Sequence, residues 1–167
     1  VLREDPRFRF IFAGGGRQKT AVEEFVVRKR LQNVSVLPYQ SPEVHADLSR
    51  SVHLHLVSFG DAMIGSVHPS KFYTAIGAGK PLLLLGSGQS PLASILAEVG
   101  CGWRIDHGDV EAMVARLRHL VTVEGQRELR DKEAASVRAC VTRFATSDLR
   151  ESWASQGDQA LREGRRA

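Results

Sequence analysis

Short apolar runs alternate with amphipathic stretches along almost the whole chain. Phe8–Ala13 (FRFIFA) is apolar and aromatic, and it predicts a strand running into a turn at Gly14-Gly15-Gly16. Thr20–Leu31 places Ala21, Phe25, Val26 and Leu31 on one side of a charged helix. Val34–Leu37 reads as a strand closed by Pro38. Ser41 and Pro42 then open a helix to about Arg50, as N-cap and first-turn residue. Val52–Val57 is a third strand, and Ser58–Val67 a polar loop. Leu82–Leu85 is a purely apolar run, too short for a bilayer and suited to a strand covered on both faces. The turn cluster Gly86–Ser90 leads into a helix over Pro91–Val99 that Gly100 stops. A short strand over Gly102–Ile105, a helix over Val110–Val121 capped by Asp109 and a helix over Gln126–Phe144 complete the alternation. Ser147–Leu161 is a last helical stretch or a fraying end.

Strand–helix alternation at this spacing predicts an α/β domain: a parallel sheet with helices on both faces. Such sheets bind ligands beyond the C-terminal ends of their strands, where each glycine or serine cluster of this chain falls. The boundaries are one domain over residues 1–147 and a C-terminal helix or tail over 148–167. Val1–Pro6 reads as the end of a helix whose start lies upstream.

The densest segment is Val67–Leu85, VHPSKFYTAIGAGKPLLLL. Pro69 suits a first helical turn, where a missing N–H costs nothing. Ser70 and Lys71 then sit where free backbone N–H groups and the positive end of the helix dipole attract anions. Gly77 and Gly79 thin out the helix end and Pro81 prevents it from continuing. A Ser-Lys pair beside a buried parallel strand makes a diphosphate seat, against the plainer alternative of a helix–strand joint with a solvated lysine.

Composition narrows the classes. The chain has 167 residues, 43% hydrophobic and 25% charged, enough for a folded core. Its net charge of +4 suits a phosphorylated substrate, an anionic surface or nucleic acid. With no aromatic RNA-binding motif or zinc-finger spacing, nucleic acid is the least favoured. Cys101 and Cys140 are too few for a disulfide framework, and they suit a reducing compartment. The sequence shows no membrane-spanning run and no signal-peptide pattern, so the expected location is cytoplasmic. His53, His55 and His68 lack carboxylate or cysteine partners at ligand spacing, so no metal is expected. Asp61 is a loop aspartate, and Cys101 and Trp103 read as packing residues. Gly14 to Gly16 with Arg17 and Lys19 could meet an anion, or form a plain flexible turn; Lys19 replaces the third glycine of the dinucleotide fingerprint. The loop at Tyr39 and Gln40 offers free backbone groups to a base edge. No complete catalytic set is visible.

These residues resemble a known family. VHPSKFYTAIGAGKPLLLL is similar to the Pro-Ser-Lys–Tyr…Ala-Gly-Lys/Arg-Pro signature in one branch of the retaining family 4 glycosyltransferases, the branch of colanic-acid, O-antigen and capsule assembly. FIFAGGG, NVSVLPYQ, LSRSVHLHLVSF and GCGWRIDHGDVEAM follow the family's order, over roughly Phe8 to Leu120. The resemblance implies the Rossmann-like C-terminal half of a GT-B fold, lacking its usual first strand and glycine loop. It implies a nucleotide-diphospho-sugar substrate, most simply a UDP-sugar, with no metal and no separate cofactor. Gly14, Gly15, Gly16 and Arg17 would border the donor, Tyr39 and Gln40 would meet the base, and Pro69, Ser70 and Lys71 would hold the diphosphate. The other implied partner is an N-terminal acceptor domain, which would also carry any contact with the inner face of the membrane. Two family glutamates, eight residues apart, fall here on Ser66 and Thr74; without a carboxylate the bidentate ribose contact is lost. A GT-B sugar-nucleotide epimerase and a non-catalytic nucleotide-binding or interaction module remain as alternatives.

Overall fold

The computed structural model describes residues 2–60 and 70–142. Strands and helices alternate as β1 (Phe10–Ala13), α1 (Lys19–Lys29), β2 (Val34–Leu37), α2 (Pro42–Ser51), β3 (His55–Ser58), α3 (Ser70–Gly77), β4 (Leu82–Leu85), α4 (Pro91–Val99), β5 (Gly102–Ile105), α5 (Val110–Leu120) and α6 (Val123–Thr142). Every strand pairing is parallel, which makes this the expected Rossmann-like α/β arrangement.

The pairing is divided between two small sheets, β1-β2 and β3-β4-β5. In the first, Phe10 to Ala13 lie opposite Val34 to Leu37. In the second, β4 is central, with Leu82 opposite both His55 and Gly102. This explains why β4 is all leucine. A central parallel strand is covered on both faces, and Leu82, Leu83 and Leu84 are fully buried. Each such side chain contributes about 1.5–3 kcal/mol of hydrophobic stabilisation. Leu82 and Leu84 pack with Val57, Phe59, Phe72, Ile76, Leu92, Leu96, Cys101 and Ala135 in the main core. A second cluster joins Leu2, Phe8 and Phe10 to Leu54 and to Met113, Val114 and Leu117 of α5.

The helix ends follow from local chemistry. Ser41 Oγ accepts from Val44 N at 3.4 Å and Asp109 Oδ1 from Ala112 N at 2.9 Å, both as expected of N-caps. At the end of α3, Gly79 has φ +69, its N–H donates to Ile76 O, and Lys80 N donates to Ala75 O. These two bonds form a Schellman motif, which needs a left-handed residue. Helix α6 is tied across the sheet by the Lys80–Glu133 ion pair at 2.5 Å and by Ser136 Oγ donating to Lys80 O at 2.9 Å.

Several boundaries differ from expectation. Val1–Pro6 suggests a helix end, but residues 2–8 form two consecutive turns, Asp5 N to Leu2 O and Phe8 N to Asp5 O. Asp5 Oδ1 accepts from the Arg7 backbone, a local bond that competes with helix. Strand β1 starts at Phe10, where pairing begins with Phe10 N donating to Asn33 O. Strand β3 starts at His55 rather than Val52, since pairing begins with His55 N donating to Pro81 O. The apolar side of α1 does not reach a core. Ala21, Phe25, Val26 and Leu31 line an open apolar cavity of about 410 Å³ against Phe10 and Phe12. The stretch Ser147–Leu161 lies outside the described residues, as does residue 148 onward.

Candidate functional site

Phe10 at the start of β1 and Leu54 just ahead of β3 both pack against the cluster of Leu2, Phe8 and Leu117. Both strand starts therefore lie near one cluster, and the loops after β1, β2 and β3 leave from the opposite ends of their strands. Gly14–Gly16 follow β1, Tyr39 and Gln40 follow β2, and the Ser70–Lys71 start of α3 follows β3.

Gly14 and Gly16 have φ +114 and +121, conformations that side-chain-bearing residues rarely adopt. Gly15 serves a different end. A Cβ there would lie 2.5 Å from Tyr39 Cε2. The glycine lets the Tyr39 ring lie directly against the loop backbone, although Tyr39 is 81% exposed. The glycine loop and the tyrosine are thus in contact. Lys19 N donates to Gly16 O, and Lys19 pairs with Glu23 at 3.7 Å, while Arg17 is exposed. Gln18 caps α1 without a side-chain bond, and the first turn holds no acid, so nothing local neutralises that helix start. Gln40 turns back on its own loop, with Nε2 donating to Pro38 O at 2.8 Å, which leaves its backbone rather than its amide for a ligand.

In α3, Ser70 and Lys71 are exposed while Phe72, Ala75 and Ile76 are buried, so the core fixes the helix and leaves the pair toward solvent. Thr74 Oγ1 donates to Ser70 O at 3.1 Å, so its proton is committed inside the helix and only its lone pairs are open. Ser66 and Pro69 lie outside the described residues, as do Asp61 and His68.

The remaining polar groups divide by role. His55 Nε2 lies 2.9 Å from Ser49 O and so carries the proton; burial holds the ring below its ordinary pKa. This is a bracing histidine. His53 sits outside β3, so the pair does not share a strand. Among the described residues no group of three His, Cys, Asp or Glu side chains could hold a metal ion. Burial pushes the Cys101 thiol up to about 11, which makes it an inert packing group, as its position suggests.

Two polar assemblies carry no motif in the sequence. Glu128 accepts from Trp103 Nε1 at 2.7 Å, lies 3.0 Å from His119 Nε2 and meets Arg116 at 3.3 Å. Burial pushes the Glu128 carboxyl up, but the hydrogen bonds from Trp103 and His119 and the Arg116 charge outweigh it and hold it below its ordinary value. Arg116 also stands over the Trp103 ring at 5.3 Å. This hub fastens α5 and α6 to β5. At the strand-end side, Arg104 Nη1 donates to Gly86 O at 2.9 Å and pairs with Asp106, and His107 Nε2 lies 2.9 Å from Phe59 O. These bonds hold the ends of β3, β4 and β5 together. Their only advance signal is polar residues at the end of a short strand, which many strands share.

No protein-family model matches the chain, and no curated protein matches it. Among the described residues, no helix is long and apolar enough to cross a membrane.

Proposed function

We propose that this chain is the donor-binding half of a retaining glycosyltransferase, and that it holds a nucleoside-diphospho-sugar beyond the C-terminal ends of its strands. The observation that carries the reading is the Tyr39 ring lying against Gly14–Gly15 at the strand ends of the β1-β2 sheet, together with the exposed Ser70–Lys71 pair at the start of the helix after β3. A base fits the tyrosine loop, and an anion fits the Ser-Lys helix start. The resemblance of Val67–Leu85 to the family signature supports the same roles.

In the reaction the bond between the anomeric carbon and the diphosphate breaks, and the sugar passes to an acceptor hydroxyl with its configuration kept. Negative charge grows on the leaving diphosphate. The Lys71 ammonium, the α3 N–H groups and Arg17 stabilise that charge, with no metal required. Acceptor binding belongs to a second domain, so this chain alone binds donor weakly and transfers nothing. Thr74, with its hydroxyl committed to Ser70 O, gives the ribose at most a single contact.

Calorimetric titration of the chain with UDP, a UDP-sugar and NAD tests this. UDP and the UDP-sugar are expected to bind, and Lys71→Ala to weaken both by about tenfold to a hundredfold, the loss of one charge-assisted hydrogen bond. NAD binding without UDP binding, or affinity unchanged in Lys71→Ala, would overturn the proposal.

A further inference from the structure

The open cavity beneath α1 is larger than any ordinary packing defect. It holds about 410 Å³, the size of a small-molecule site, whereas folded interiors leave few voids bigger than a water molecule. Phe10, Phe12 and Val34 line it from the strands, and α1 supplies the facing wall. Gln18 is the one lining residue with a polar side chain. The interior therefore matches hydrocarbon and offers a polar ligand almost nothing to bond.

Positive charge gathers at one end of this cavity. Arg28 stands over the Phe25 ring, 5.6 Å from its centroid, and that ring is a cavity wall left 46% exposed. Lys29 follows Phe25 by four residues and Val26 by three, so it continues the stripe of α1 that lines the cavity. Arg30 comes next, beside the lining residue Leu31. All three cations are exposed, and none has an ion-pair partner among the described residues. Of the two acids in α1, Glu23 pairs with Lys19 at the other end of the helix, and Glu24, one residue before Phe25, falls off the stripe. A helix C-terminus carries roughly half a negative charge, which one cation balances, so three in succession leave an excess. Helix α1 leaves the end of β1 and returns to the start of β2, which sets this cationic end away from Gly14–Gly16.

We propose that this cavity binds a soluble, single-chain anionic amphiphile. Its hydrocarbon chain lies between α1 and the β1-β2 sheet, and its anionic head meets Arg28 and Lys29. The apolar lining selects the chain, and the cations select the sign of the head. A neutral hydrocarbon would leave the cations unused, and a small inorganic anion would leave the cavity unfilled. A bilayer surface fits less well, because the cavity lies between helix and sheet and not on an outward face. The site is separate from the donor loops, and it does not rest on the glycosyltransferase reading.

The test is NMR titration of the full chain with decyl phosphate below its aggregation concentration, against octyl phosphate, decanol and inorganic phosphate. Nuclear Overhauser effects are expected from the alkyl protons to the Phe12 and Phe25 rings. Decyl phosphate is expected to bind about tenfold tighter than octyl phosphate, from the burial of two more methylenes. Arg28→Glu combined with Lys29→Glu is expected to weaken decyl phosphate at least about tenfold and decanol less than about twofold. Ala21→Phe, which puts a ring into the cavity, is expected to abolish the alkyl contacts; should it fail to fold, the contacts in the unsubstituted chain still decide. No alkyl contact at Phe12 and Phe25, equal weakening of decanol by the charge reversals, or unchanged binding in folded Ala21→Phe would each overturn the site. So would Overhauser effects to the Phe25 ring from a distant part of the chain without ligand, since the cavity would already be filled. Binding to vesicles of mixed neutral and anionic phospholipid without alkyl contacts from free decyl phosphate would overturn it too, in favour of a membrane surface.

Discussion

Single residues separate what supports the fold from what faces a ligand. Gly15 is not in the left-handed region, so an alanine there suits its backbone; the difficulty is the Tyr39 ring 2.5 Å from the new Cβ. That ring is exposed and can swing aside. Gly15→Ala is therefore expected to change stability by less than about 0.5 kcal/mol. It is expected to weaken UDP binding several-fold, with melting and calorimetry as the paired measurements. His55 gives a pH dependence. Its folded pKa is depressed by burial, so the neutral ring is the form the fold prefers. The stability it contributes is present above the unfolded value of 6.5 and is lost as pH falls through the folded value. The urea midpoint is expected to decline below pH 6.5, and the decline to be shallower in His55→Gln. The Asp5 carboxyl, held at about 2 by its hydrogen bonds from Arg7, titrates far below that window.

At the level of elements, the sequence patterns are honoured unevenly. Helices α4 and α5 begin at a serine and an aspartate cap and bury one apolar face, as their periodicity requires, whereas α2, capped by Ser41, buries only Ser49. Helix α1 is only weakly amphipathic and has no buried residue. Its end also carries a cost. Arg30 is the C-cap at φ +51, among the described residues the one non-glycine with positive φ, and its N–H bonds back to Val26 O and Val27 O. Left-handed backbone costs a residue with a Cβ about 1 kcal/mol. Arg30→Gly is expected to stabilise the chain by up to about that amount in chemical denaturation, since glycine adopts this conformation without penalty. A lower stability would mean that the arginine side chain contributes more than its backbone costs.

Across the whole molecule the two sheets differ in how firmly they are held. The β3-β4-β5 sheet is enclosed by α3, α4 and α6 around fully buried leucines. The β1-β2 sheet has an open cavity on one face and, among the described residues, no further strand on either edge. Local stability follows buried apolar contact. Native-state exchange at low denaturant is therefore expected to show Phe12 and Leu37 opening in a sub-global step at least about 2 kcal/mol easier than the opening of Leu84. Equal opening energies would mean that the two sheets unfold as one unit.

The local pattern of the sequence determined much of this protein. Apolar runs of four, helical periodicity and the residues at Ser41, Gly79, Gly100 and Asp109 act within a few neighbours, and they fixed the kinds and order of elements. The parallel class followed from the alternation alone. The glycine loop and the Ser-Lys start were visible because each is a short, contiguous chemical signal. Tertiary structure alone decided that the sheet divides between β1 and β3, since pairing depends on which edges meet and not on which residues favour strands. It alone laid Tyr39 on Gly15, gathered Trp103, Arg116 and His119 on Glu128, and left the apolar side of α1 open. Those contacts join positions far apart in the chain, and no local preference encodes the geometry that brings them together.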